Sequence, residues 1–128
     1  ERIGDHAENI ADFAKSIIER EIFLDEDTVK ELDGIYELIK RGFALSIDAL
    51  STGDQEKVQQ AIQIERDIDK LKIEVRDKYM KRMNKGIASA ESGIFVMDLL
   101  SNLERVSDHF RNIAETVERL KRPVIVTE

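Results

Sequence analysis

A chain of 128 residues, 41% hydrophobic and 37% charged, is long enough for one domain that buries roughly two-thirds of its unfolded surface, and too apolar for a disordered segment. Its net charge of −7, with lysines and arginines interspersed among the acids, excludes a basic face for nucleic acid. The lack of cysteine excludes disulfides, thiolate metal sites and thiol nucleophiles, and the longest apolar run, residues 94–97, is too short to span a membrane. The chain opens mid-pattern and without Met, which reads as a piece of a longer sequence.

Apolar residues recur at helical spacing almost throughout, and four helices are expected. The first covers residues 1–20, where Ile3, Ile10 and Ile17 alternate with Ala7 and Ala14. The second begins after Asp25, with Glu26 and Asp27 at the positive end of the helix dipole, and stops at Gly53. It carries Val29, Leu32, Ile35, Ile39, Phe43 and Leu50, with Gly34 and Gly42 expected on one closely approached face. Asp54 caps the third, which holds Val58, Ala61, Ile64, Ile68, Leu71, Val75 and Tyr79 and ends at Gly86. Ser89 or Ser92 starts the fourth and Pro123 ends it. Its seam is Val96, Leu99, Leu103, Val106, Phe110, Ile113, Val117 and Leu120, alternating three and four apart. Leu99, Leu103, Val106, Phe110 and Ile113 are therefore expected in the core. The three methionines, Met80, Met83 and Met97, read as core filler. Short joints make neighbouring helices antiparallel, so the expected fold is an all-α, up-down helical bundle.

One sentence is written twice. ERIGDHAENIA opens the chain, and ERVSDHFRNIA, starting at Glu104, repeats seven of its eleven residues 103 positions later. In the second copy Glu104, Asp108 and Asn112 are four apart, each about 40° round the helix from the last, and make an oxygen-bearing stripe beside the seam. Glu1, Asp5 and Asn9 make the same stripe in the first copy, and the third helix adds Glu65 and Asp69. Like charges four apart destabilise a helix by a few tenths of a kcal/mol, so the pattern calls for a compensating charge. Carboxylate and amide oxygens suit hard cations such as iron, manganese, magnesium or calcium, with zinc also accommodated. Lys72, three residues after Asp69, would neutralise the acids without a metal, with Arg105 and Arg111 as weaker rivals. A plain solvated face is the bland alternative.

His6 and His109 directly follow the aspartates, but Ile3 and Val106 stand three residues before them, so no Glu-x-x-His pair for a ferritin-like di-iron site is present. Nucleophile elbows, P-loops and dinucleotide fingerprints are absent as well, and the sequence offers no enzyme.

LERVSDHFRNIAE and the earlier ERIGDHAENIAD resemble the doubled signature of the PhoU family of phosphate-uptake regulators. The resemblance covers most of the chain and is strongest from about residue 63 to residue 120. It implies two related three-helix units, each with E-x-x-x-D helices, and a surface that in family members binds multinuclear iron or zinc clusters. Residues 1–20 would be the last helix of a truncated first repeat, residues 21–123 a complete second repeat, and residues 124–128 a short tail. Glu104, Asp108, Glu65 and Asp69 would then form one metal site, with Asn112 on the same stripe and Glu1 and Asp5 the remnant of a second. The stretch KRMNKGIASAESGIFVMDLLSNLERVSDH is similar, more narrowly, to the cytoplasmic tail of bacterial sodium/phosphate cotransporters. The implied function is non-enzymatic regulation of phosphate uptake in the cytoplasm, by contact with a phosphate transporter or its membrane domain. A histidine phosphotransfer or dimerisation helix and a ligand-free structural bundle are the competing readings. The unpaired first helix would either fold onto the other three or pair with a second copy, and self-association to a dimer is the expectation.

Overall fold

The computed structural model describes residues 24–121. They form three helices, α1 (Glu26–Thr52), α2 (Gln55–Asn84) and α3 (Ala90–Leu120), each packed against the other two. The expected first helix, residues 1–20, and the tail, residues 124–128, lie outside the described residues.

Each helix starts where short polar side chains replace the missing intrahelical partners. The Asp25 carboxylate accepts hydrogen bonds from the backbone N–H of Thr28 at 3.1 Å and from its hydroxyl at 2.6 Å. Asp54 accepts from the backbone of Glu56 and Lys57, and Ser89 from that of Ser92. Gly53 closes α1 in the left-handed conformation, φ 74°, and its N–H donates to the Ala49 carbonyl. That leaves a two-residue turn before α2, which reverses the chain.

Contacts along the helices fix their directions. Arg82, near the end of α2, reaches Thr28 and Glu31 at the start of α1. Lys57, at the start of α2, pairs with Asp48 at the end of α1. Between α2 and α3 the pairs Gln59–Glu118, Glu65–Arg111 and Lys72–Glu104 descend in register, so those helices are also antiparallel. The result is the expected up-down, all-α bundle, with α1 and α3 parallel.

The core is one cluster that includes Ile35, Ile39, Val58, Ile68, Tyr79, Leu103 and Phe110. Its position corrects the expected seam. On α3 the buried positions are Val96, Leu100, Leu103, Val106, Ser107, Phe110, Ala114 and Val117, whereas Leu99 and Ile113 are half-buried and Leu120 is 44% exposed. A straight helix drifts about 20° per heptad against a 3.5-residue seam, so Leu100, Ser107 and Ala114 turn inward while Leu99, Ile113 and Leu120 turn outward. On α1 Val29 is exposed and Phe43 and Leu50 are half-buried, while Thr28, Gly42, Ser46 and Ala49 are buried. On α2 Leu71 is half-buried, and Met80 is 50% exposed rather than core filler.

The two α1 glycines part company as well. They are separated by eight residues, about 80° round the helix. Gly42 lies under the ring of Phe110, but Gly34 has open space where a side chain would go. At the other end of the bundle Arg82 ties α2 to the start of α1. Its guanidinium contacts Asp25 at 3.2 Å, Glu31 at 3.0 Å and the Thr28 hydroxyl at 2.8 Å, with little exposure of any of the charged partners.

Candidate functional site

The site is built on the α2–α3 groove. Val58, Ala61, Glu65, Ile68, Lys72, Val75 and Tyr79 alternate three and four apart, so Glu65 and Lys72 occupy seam positions of α2 among apolar neighbours. Facing them across the groove, α3 carries Glu104, Asp108, Arg111 and Glu115.

Glu65 is 2% exposed, a nearly fully buried carboxylate. A buried charge is tolerated only with a partner, and the partner is Arg111, whose Nη1 lies 3.1 Å from Glu65 Oε2. Arg111 is oriented from its own helix by Glu115, 2.6 Å from its Nε. Two helix turns further along the groove, Lys72 Nζ contacts Glu104 Oε1 at 2.7 Å. Asp108 lies between these two pairs and feels both.

The electrostatics are those of an acidic cluster incompletely neutralised. Burial pushes the Glu65 carboxyl above its ordinary pKa and neighbouring Asp69 adds to the rise, while Arg111 opposes it. Asp108 is raised too, by burial first, then by the charges of Glu104 and Asp69, with Lys72 and Arg111 pulling it down. Four carboxylates thus converge on two cations.

Glu65 thus interacts with Asp69, and Asp108 with Glu104 and Asp69, beside the Lys72–Glu104 and Arg111–Glu65 ion pairs. Asn112 is exposed, a further turn round α3 and off the groove. Arg105 is exposed on the outer side of α3. His109 is half-buried, on a flank of α3 away from the acids. Glu1 and Asp5 lie outside the described residues. Among the described residues, no group of three or more histidines, aspartates or glutamates is arranged to hold a metal ion. A cation would enter this donor set only by displacing a side-chain amine or guanidinium. Sequence reasoning treated Glu65 as part of a surface stripe. Its place in the three-four alternation of α2 was the signal that it is buried.

α1 to α3 make a three-helix unit with an E-x-x-x-D pair on each of its last two helices, Glu65–Asp69 and Glu104–Asp108. The PhoU domain family matches residues 32–117, more than half of the chain and nearly the whole helical unit, and the chain belongs to that family. It is 28% identical over 126 residues to the phosphate-specific transport system accessory protein PhoU homolog 1 of Thermotoga maritima, an alignment covering 91% of this chain and 52% of that protein. The chain thus spans about half the length of this relative. No solved structure matches it. Among the described residues no helix is long and apolar enough to cross a membrane.

Proposed function

We propose that this chain regulates phosphate uptake by direct contact with a phosphate transport system, and that it does so on the cytoplasmic face of the membrane without catalysing a reaction. The observation that carries the reading is the coincidence of the family match, residues 32–117, with the three-helix unit of α1 to α3. The relative's role as an accessory protein of phosphate-specific transport supplies the partner class. A sodium/phosphate cotransporter is the other transporter that the sequence resemblance suggests. Uptake of radiolabelled phosphate in cells with and without this chain tests the proposal. Loss of the chain should leave uptake high when phosphate is plentiful, and re-expression should restore control. Uptake that is indifferent to the chain at both high and low phosphate would overturn it.

A second reading concerns the acidic groove. The residual negative charge around Asp108 and Asp69 favours a divalent cation such as iron or zinc, with Glu65, Asp69, Glu104 and Asp108 as the donors and Lys72 and Arg111 as its competitors. Glu1 and Asp5 would be the remnant of a second site of the same donor chemistry. Metal analysis and titration of the purified protein test this reading, with Asp108→Asn and Glu104→Gln as controls. Absence of binding above background, or equal binding by both variants, reduces the cluster to an ion-paired surface.

A further inference from the structure

The groove between α2 and α3 changes character along its length. Gln59 of α2 donates a hydrogen bond to Glu118 of α3, which sets two rows of residues spaced by seven against each other. On α2 the row is Gln59, Arg66, Ile73 and Met80, and on α3 it is Met97, Glu104, Arg111 and Glu118. Lys72 meets Glu104, and a Cβ on Gly93 would lie 3.0 Å from Met83 Sδ. These two contacts are eleven residues apart on both helices, so the register holds between them. Met80 therefore stands opposite Met97, and Ile73 stands level with Glu104.

The loop end of this groove is apolar and open. Ile73 is 47% exposed and Met80 50%, and Ile87, in the connection to α3, is 60% exposed. Ile94 is 67% exposed, one turn before the half-buried Met97 and on the same row of α3 as Asp108. Single exposed apolar residues are ordinary, whereas a strip of them along one groove marks a contact surface. Beyond Ile73 the groove turns acidic. Burial, and then the charges of Glu104 and Asp69, raise the Asp108 carboxyl, so the field there is negative despite Lys72 and Arg111.

We propose that this groove docks an amphipathic helix of another protein, with its apolar side chains on Ile73, Met80, Ile87 and Ile94. Its basic side chains lie about 10 Å beyond the Met80–Met97 position, at Glu104 and Asp108. Two antiparallel helices with side chains repeating every seven residues offer holes that a third helix fills, and unbranched methionines adapt to its side chains. The charge of the groove selects the partner: the acids attract lysine or arginine and repel an acidic helix. The net charge of −7 likewise opposes a second copy of this chain as the occupant. The inference deepens the transport reading above and rests on it only for which protein carries the helix.

Fluorescence anisotropy with the full 128-residue chain tests the surface, in buffer containing a chelator so that the acids are free of metal. The probe is a labelled synthetic helix of about 18 residues, with leucines at three- and four-residue spacing and lysines in its last two turns. It should bind, and a probe with glutamates in place of the lysines should bind about tenfold more weakly or not at all. Met80→Asp and Ile94→Asp should each abolish binding while keeping the wild-type melting temperature, since both sites are open to water. Val29→Asp, on exposed α1 surface, should bind as wild type does. No binding of the lysine probe, equal binding of the two probes, or binding untouched by both aspartate variants overturns the proposal. So does a dimer in sedimentation that Met80→Asp dissolves, which would assign the strip to a second copy. In cells whose phosphate uptake the wild-type chain controls, Ile94→Asp should lose that control. Retained control overturns the docking surface and leaves the transport reading standing, whereas loss of the transport reading leaves the surface to be decided by the probes.

Discussion

Phe110 occupies the space that a side chain at Gly42 would need: a Cβ built there would lie 2.6 Å from Phe110 Cε1. The neighbouring Ser46 hydroxyl donates to the Phe110 backbone carbonyl at 2.9 Å, so α1 and α3 are joined at this point by a ring over a glycine and a hydrogen bond. Phe110 is fully buried and held by Phe43 on its other side, which leaves it little freedom to move. Gly42→Ala should therefore destabilise the fold by about 1–3 kcal/mol through overpacking, despite a gain of up to about 1 kcal/mol in helix propensity. Gly34→Ala, eight residues earlier with open space around it, should stabilise by up to about 1 kcal/mol. Urea denaturation of the two variants checks the opposite signs.

Removing Arg82 should be among the most damaging single changes on the molecule. Arg82→Ala would strand the Asp25 and Glu31 carboxylates, both largely shielded from water, at a cost of about 3–5 kcal/mol. Arg82→Lys should recover only part of this, since one ammonium cannot reproduce the fork that serves Asp25, Glu31 and Thr28 together. The denaturation midpoint is the measure, and a wild-type midpoint for the lysine variant would show that charge alone is needed.

The acidic groove predicts a pH dependence of definite sign. Asp108 and Glu65 have folded pKa values raised above their unfolded ones, so the native state holds their protons more tightly. Such a group lowers stability above its folded pKa, and the penalty disappears as pH falls below the unfolded value, 3.8 for Asp108. Asp108→Asn should therefore stabilise at neutral pH by a few tenths of a kcal/mol, a figure kept small by solvent screening. The advantage should close as pH falls through that window. Thermal melts of both proteins across the acid range decide the point.

Arg111→Met should act on the same groove in the other direction. It leaves the buried Glu65 carboxylate without its cation, at a cost of about 1–3 kcal/mol at neutral pH. The Glu65 pKa then rises further, because its one opposing charge is gone. The loss should shrink on acidification, as the carboxyl becomes neutral. A loss that is constant with pH would place the effect of Arg111 in packing of its stem.

Lys72 supplies a test of cation binding. If a divalent ion competes for the groove, Lys72→Met frees Glu104 and lifts affinity by about fivefold, the equivalent of about 1 kcal/mol of partly screened repulsion. Calorimetric titration with zinc and manganese reads the change, and unaltered affinity would show that the two cations do not share a site.

The helix boundaries were legible in the sequence because the interactions that set them are local. Asp25, Asp54 and Ser89 cap backbone groups two or three residues away, and Gly53 terminates α1 with a bond to Ala49, so each end follows from a handful of neighbours. The interaction of Asp69 with Asp108 was legible for a similar reason: a short joint forces α2 and α3 antiparallel and brings their acidic pairs level. Burial was another matter. The heptad of α3 contains Leu99 and Ile113 as well as Leu103 and Phe110, and periodicity gives the two rows equal standing. Only the packing of three helices decides which row is inside, because burial is a property of the surface that meets a residue. Gly34 and Gly42 read alike for the same reason, until Phe110 distinguished them. The seam position of Glu65 was written in the sequence. That Arg111 would reach across from α3 to pair with it depends on the register between two helices, which is fixed by the packed core and not by the spacing of either helix alone.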